Sequence, residues 1–226
     1  MQKFAQWYTY IFFIVFAPLL FLSLGASLLF NMTFIYTAGF DKYNVGDNAQ
    51  LSRQELKRVA SAIQKYFNND QEYLIITVAD LSGDTFVLFD AHEQEHMKDV
   101  KKVVHLAYSA SALLLTTFII VLFVARQRKL KETNAWLIWG GMGAAAAVAL
   151  CALLAVADFD SFFNFLHSLF FKENGSWVFS PDSYLITLFP TGFWVDMGML
   201  IGGLAFVNAL IMIFIGLRRN TLIYRK

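Results

Sequence analysis

Asp90-Ala91-His92-Glu93-Gln94-Glu95-His96-Met97-Lys98-Asp99-Val100 places two histidines and four acids in eleven residues, and an apolar segment from Val103 to Ala125 follows almost at once. A run of about 20 apolar residues is what a helix needs to cross a hydrocarbon core about 30 Å thick. The polar stretch must therefore sit at a membrane–water boundary. It is also the densest collection of proton-handling groups in the chain.

Three more stretches have the same length and character, so the expected spans are Trp7–Phe30, Val104–Ala125, Trp136–Ala157 and Phe193–Leu217. Composition agrees: 58% of residues are hydrophobic and only 15% charged, well below the quarter or so typical of soluble domains. A net charge of +1 gives no case for nucleic-acid binding. The single cysteine, Cys151, lies within an apolar run, which excludes disulfides and thiolate zinc sites. The first apolar run is longer than a signal-peptide core and reads as a retained helix, despite the short basic start at Lys3. Pro18 in its middle predicts a kink.

Basic residues set the orientation. Arg126, Arg128, Lys129 and Lys131 follow the second span, and Arg218, Arg219, Arg225 and Lys226 follow the fourth; both clusters are expected in the cytoplasm. Both termini are then expected inside, in a multi-pass membrane protein. The expected fold is mainly α, a polytopic membrane protein with four transmembrane helices and a small α/β extracellular cap. Its segments are a transmembrane helix at 1–30, the cap and the start of helix two at 31–102, and transmembrane helix two at 103–125. A cytoplasmic loop follows at 126–135, then transmembrane helix three at 136–157, an aromatic extracellular segment at 158–192, transmembrane helix four at 193–217 and a cytoplasmic tail at 218–226.

Within the cap, Ser52-x-x-Glu55 is a capping box. Leu56, Val59, Ala60, Ile63 and Phe67 follow it at helical spacing. Tyr73–Ala79 and Thr85–Phe89 are β-rich runs flanking the turn signal Asp80-Leu-Ser-Gly83-Asp84. From about Ala91 the pattern turns helical and continues into span two. Glu93, His96, Asp99, Val100 and Val103 share one side, and Lys98, Lys101 and Lys102 are expected to snorkel to lipid headgroups. His105, nine residues after His96, points about 180° away and reads as a structural histidine. Gly140-Gly141 and Ala144–Ala147 in span three, and Gly198, Gly202 and Gly203 in span four, supply small surfaces for close helix packing. Asp196, just inside span four, is a costly residue to bury there.

The second outer connection is unusually aromatic: Asp158-Phe-Asp160-Ser-Phe-Phe163-Asn-Phe-Leu-His167-Ser-Leu-Phe170-Phe171, then Trp177-x-Phe179-x-Pro181, then Leu188-Phe189-Pro190-x-x-Phe193-Trp194. An interfacial aromatic belt accounts for most of these rings. It does not account for His167, which shares a helical face with Asp160, Phe163 and Phe171. Topology brings His96 and His167 to the same membrane surface. Two histidines near carboxylates and a wall of aromatics form a proton-transfer site with an acyl-chain pocket.

Three readings of this cluster compete. His92-Glu93-x-x-His96 matches the zinc-peptidase pattern, with His92 and His96 as ligands, Glu93 as general base and a third ligand from Glu95, Asp160 or His167. A non-catalytic membrane subunit with a solvated helix start is the second. The third rests on Glu93-x-x-His96-Met97-x-Asp99-Val100-Lys101 and Asp160-x-x-Phe163-x-x-x-His167-x-x-Phe170-Phe171, with Trp177, Pro181, Leu188 to Pro190 and Phe193. These pieces resemble the lipoprotein intramolecular transacylase (Lit) family, four-span membrane enzymes of Gram-positive bacteria. His92 falls outside that motif.

The resemblance implies an acyltransferase whose partners are a diacylglyceryl-modified lipoprotein N-terminus and membrane lipid. It moves the sn-2 acyl chain of the diacylglyceryl-cysteine to that cysteine's own α-amino group, giving lyso-form lipoprotein, with no cofactor and no metal. Passage through a cyclic tetrahedral intermediate requires no enzyme nucleophile, consistent with the lack of a Gly-x-Ser-x-Gly elbow here. His96 and His167 are the implied acid–base pair, since imidazoles titrating near pH 6.5 can take a proton from an amine and return one to an alkoxide at neutral pH. Glu93, Asp99 or Asp160 either orients an imidazole or caps a helix terminus. Phe163, Phe170, Phe171, Trp177 and Phe193 are the candidate acyl-pocket residues, holding two distant parts of one flexible lipid together.

Overall fold

Helix-forming runs account for most of the chain. The structure is a computed structural model describing residues 2–128, 130, 132–171 and 177–223. Lys129, Lys131, Arg225 and Lys226 lie outside the described residues, as do the side chains of Lys3 and Arg219. In chain order come α1 (Gln2–Phe30), α2 (Thr33–Lys42), α3 (Val45–Ala49), α4 (Arg53–Tyr66), β1 (Thr77–Ala79) and β2 (Thr85–Val87). Then follow α5 (Ala91–Gln127), α6 (Thr133–Ala157), α7 (Phe159–Phe170), α8 (Tyr184–Leu188) and α9 (Thr191–Ile223). Helices α1, α5, α6 and α9 are each long and apolar enough to cross a membrane; the chain is a multi-pass membrane protein. Pro18 sits inside α1, which runs unbroken around it. At 1.5 Å per residue the 37 residues of α5 extend about 55 Å, against a core of about 30 Å. Its polar first turns are thus outside the span.

The chain forms two compact units. One comprises Met1–Ser27, Ala107–Asp158 and Met199–Lys226. Its core is aromatic and small-residue packing: Phe13 stacks on Trp136 at 5.8 Å and meets Phe118 edge-on at 5.7 Å. The small surface expected on the third span is realised. A Cβ on Gly140 would come 2.7 Å from Met212, and one on Gly141 would come 2.8 Å from the Ala209 carbonyl oxygen. The expectation for the fourth span is corrected. Gly198 and Gly203 meet nothing within 4 Å, and Gly202 meets only Val148, at 3.7 Å. The packing face of α9 is instead set by Ala205, Ala209, Met212 and Gly216, from which Gly203 is turned by roughly half a revolution.

The other unit comprises Leu28–Leu106 and Phe159–Gly198. In α4 the predicted face is buried: Leu56, Val59, Ala60 and Ile63 are each 5% exposed or less. The Glu55 N–H donates to Ser52 Oγ at 3.2 Å, but the Glu55 carboxylate turns to Arg58 rather than closing the box. The turn forms as read. Asp80 Oδ1 accepts from the N–H groups of Ser82 and Asp84 at 2.8 and 3.0 Å, and Gly83 adopts φ +94°, a conformation that favours glycine.

The strands are shorter than the sequence predicts, three residues each, pairing Thr77 with Val87, Val78 with Phe86 and Ala79 with Thr85. Alternation persists upstream, with Leu74 and Ile76 buried and Ile75 exposed. The partner strand ends because Leu88 and Phe89 sink into the core and Asp90 caps α5. The lysines are a second correction. Lys101 is 9% exposed, its ammonium donating to the Gln71 carbonyl at 2.7 Å and Asn69 Oδ1 at 3.2 Å and lying 4.2 Å from the Tyr66 ring centre. Lys98 pairs with Glu72 and Glu95, and Lys102 with Asp99. The 69–72 loop brings acceptors to α5, and Lys98 and Lys101 satisfy them.

Candidate active site

The first turn of α5 is fixed by a reciprocal pair of hydrogen bonds. The Glu93 N–H donates to Asp90 Oδ1, and the Asp90 N–H donates to Glu93 Oε2, both at 2.8 Å. This capping box sets the phase of the helix, and His96 follows one turn later. Glu93 is 2% exposed. Its second oxygen, Oε1, accepts from Ser183 Oγ and from the Leu185 N–H at 3.0 Å. Glu93 thus caps a helix and bonds no imidazole.

His167 lies on α7 with Phe163 and Phe171 four residues to either side, so the three share one face. Its ring centre is 4.0 Å from that of Phe163, 5.3 Å from Phe171 and 5.7 Å from Trp177. His167 Nδ1 is 2.9 Å from the Phe163 carbonyl oxygen. A carbonyl can only accept, so Nδ1 carries the proton and Nε2 keeps a lone pair.

His96 and His167 come together, their ring centres 6.4 Å apart and their planes 12° from parallel. Phe171 touches both, at 5.1 Å from His96, and Phe179 covers His96 at 5.2 Å. His96 Nδ1 is buried without a partner among the described residues. A buried N–H without an acceptor is the rarer and costlier defect, so the neutral ring carries its proton on Nε2. Burial and then the neighbouring His167 push the His96 pKa down to about 4, with Asp99 opposing and His92 adding to the shift. Burial also lowers His167, against the opposing bond to Phe163. Both rings are neutral at pH 7.

The other predicted residues divide. Phe163, Phe171 and Trp177 stand against the histidines. Phe170 is 48% exposed, because it lies off the Phe163–His167–Phe171 face. Phe193 is buried in a separate cluster with Tyr36, Phe189 and Trp194, from which Trp194 reaches Phe163 at 6.0 Å. Asp99 pairs with Lys102, and exposed Asp160 occupies the first turn of α7, where a negative charge complements the helix dipole. Asp196 takes both ammonium bonds of Lys42, at 2.6 and 2.8 Å, and the Tyr43 hydroxyl. His105 bonds the Phe67 carbonyl at 2.8 Å, a structural role.

The zinc-peptidase arrangement is not assembled among the described residues. No group of three or more His, Cys, Asp or Glu is set to hold a metal ion. Glu93 has committed its carboxylate, Glu95 pairs with Lys98, and exposed His92 packs on Phe179 at 4.7 Å. Sequence reasoning passed over Phe179, Ser183 and Leu185 as site residues. Pro181-Asp182-Ser183 is a turn-and-cap signal that marks the start of α8, and Ser183 Oγ does accept from the Leu185 N–H there.

Comparison with known proteins adds a consistent set of likenesses. The family described as "Lipoprotein intramolecular transacylase Lit" matches residues 11–194. An uncharacterized protein of Aquifex aeolicus (strain VF5) is 23% identical over 204 residues, 90% of this chain and 91% of that one. The in meso structure of the membrane integral lipoprotein intramolecular transacylase Lit from Bacillus cereus superposes with a TM-score of 0.80 at 16% identity, covering 99% of this chain and 98% of that one. A histidine-to-alanine variant of that protein gives a TM-score of 0.78 at 16% identity, covering 100% and 98%.

Proposed function

Because this chain belongs to the lipoprotein intramolecular transacylase (Lit) family, we propose that it moves the sn-2 acyl chain of a diacylglyceryl-cysteine lipoprotein onto the cysteine's own α-amino group. The product is lyso-form lipoprotein. The observation that carries this reading is the pair of parallel, neutral imidazoles with complementary tautomers.

His167 is the base. Its Nε2 lone pair takes the proton that the α-amine loses as nitrogen attacks the sn-2 ester carbonyl. His96, kept neutral by burial, presents Nε2–H to the oxyanion that forms, much as a preorganised donor stabilises a tetrahedral intermediate. Collapse breaks the bond to the glyceryl oxygen, and His167 returns its proton there. The N-acyl bond has formed, the sn-2 ester bond has broken, and no atom is gained or lost. Phe163, Phe171, Trp177 and Phe179 exclude water, which would otherwise turn transfer into hydrolysis. Asp99 tempers the shift on His96.

Orientation follows from charge. Arg126, Arg128 and Arg218 face the cytoplasm under the positive-inside rule, which puts the histidine pair at the outer surface, where lipid-modified N-termini are presented. The test is mass spectrometry of the N-terminal lipopeptide of a reporter lipoprotein, in a host that otherwise makes only the diacylglyceryl form. An isobaric product with one chain moved to the amine is expected when this protein is present. Loss of an acyl group would mean hydrolysis, and an unchanged lipopeptide would overturn the proposal.

A further inference from the structure

We infer that Glu93 and Ser183 form a latch that positions the 177–183 strap over the two histidines, making both of them positioning residues for the reaction; the inference rests on the two-histidine reading above. Glu93 is 2% exposed, and a buried carboxylate must be hydrogen-bonded. Among the described residues its donors are the Asp90 N–H, Ser183 Oγ and the Leu185 N–H, with no lysine, arginine or histidine among them. Two of the three come from chain about 90 positions away. Capping cannot be the whole purpose. Oε2 alone closes the α5 capping box, and Ser183 caps α8 by itself through the Leu185 N–H. Oε1 joins two helix starts that are each already capped.

What the join holds in place is visible just before Ser183. Trp177 lies 5.7 Å from His167, and Phe179 lies 5.2 Å from His96. Trp177 is also tied back to α7 by its Nε1–H to Asn164 Oδ1 at 3.3 Å. The strap is therefore fastened at both ends, and Phe179 between them excludes water from His96. Releasing the Ser183 end hydrates that ring. Among the described residues the charged and titratable groups acting on it are His167, Asp99 and His92; His167 and His92 also touch the strap, at Trp177 and Phe179, whereas Asp99 pairs with Lys102.

The experiment measures lyso-lipopeptide formation against pH for the full-length membrane protein and its Ser183→Ala, Ser183→Thr, Glu93→Gln and Glu93→Ala variants, with membrane levels matched. Ser183→Ala and Glu93→Ala are expected to slow conversion roughly 10- to 100-fold through kcat rather than KM. Their acid limb should move up as His167, covered by Trp177, and His96, covered by Phe179, regain solvent. Ser183→Thr, which keeps the hydroxyl, should recover most of the rate and the original limb; Glu93→Gln, which keeps one acceptor oxygen but turns an NH2 toward a donor, should fall between wild type and Glu93→Ala. If Glu93→Ala does not accumulate, the Ser183 pair decides alone. Wild-type rates in the alanine variants, or slowing with an unmoved acid limb and no threonine recovery, would overturn the latch. A wild-type protein that makes no lyso product would remove the transacylase reading and the latch with it, a result distinct from the others.

Discussion

The imidazoles of His96 and His167 lie 6.4 Å apart and 12° from parallel, although 71 positions separate them in the chain. Neither bonds the other. Each is dressed differently, His167 through Nδ1 to a backbone carbonyl and His96 with Nδ1 buried and bare. The roles of base and oxyanion donor follow from that asymmetry. His96→Ala and His167→Ala should each reduce lyso-lipopeptide formation by about a hundredfold to ten-thousandfold while leaving membrane levels unchanged. Quantitative mass spectrometry of the reporter lipopeptide makes the comparison, and a variant that keeps wild-type product would remove that histidine from the mechanism.

His92 gives the contrasting result. It is exposed and packs its ring on Phe179, so His92→Ala should retain activity within a few-fold. Chelator should likewise leave the rate alone. A folded but inactive His92 variant, or activity lost to chelator and restored by Zn²⁺, would favour the metallopeptidase arrangement instead.

The pH response follows from burial. Both histidines act in their neutral forms, and both are lowered from 6.5, His96 to about 4. The rate should thus hold as pH falls past 6.5 and decline only below it. Stability carries the same sign. The folded state resists protonating His96 while the unfolded chain accepts the proton near 6.5, so its contribution is full above 6.5 and is lost as pH falls from there toward about 4. Thermal unfolding of the detergent-solubilised protein across that range, compared with His96→Phe, isolates the effect. An equal acid response in both would show that other groups govern it.

The fold was legible where chemistry repeats. Four apolar runs, the α4 face and the Asp80–Gly83 turn each carry a local signal that tertiary packing does not override. The meeting of His96 and His167 could be read because both flank spans at one membrane surface. Other features depend on partners that no spacing encodes. Lys101 looks like a headgroup lysine until the Gln71 carbonyl arrives to take its proton donors. Phe193 sits in an aromatic run yet packs away from the site against Tyr36. Ser183 is one serine among several until Glu93 is seen to reach it.

Lys101 gives a stability prediction. Its ammonium satisfies the Gln71 carbonyl and Asn69 and rests on the Tyr66 ring. Lys101→Met keeps the volume and strands those acceptors, at a cost of about 1–3 kcal/mol. The expected readout is a lower melting temperature with a normal rate per folded molecule. A melting temperature equal to wild type would mean that water replaces the ammonium without loss.

Gly39 tests how tightly the second aromatic cluster is packed. A Cβ there would lie 2.5 Å from Cδ2 of Phe193 and 2.7 Å from Cε2, closer than carbon atoms can approach. Phe193 is 3% exposed and stacked on Tyr36 at 6.4 Å, so its ring has little room to retreat. Gly39→Ala should cost about 1–3 kcal/mol through overpacking. Because Trp194 bridges Phe193 to Phe163, displacement of the Phe193 ring is passed on to the face that carries His167, and the rate should fall as well. Gly39→Ala combined with Phe193→Leu removes the clash and should recover stability. If the single variant melts like wild type, the ring has shifted freely and the cluster does not hold Phe163 in place.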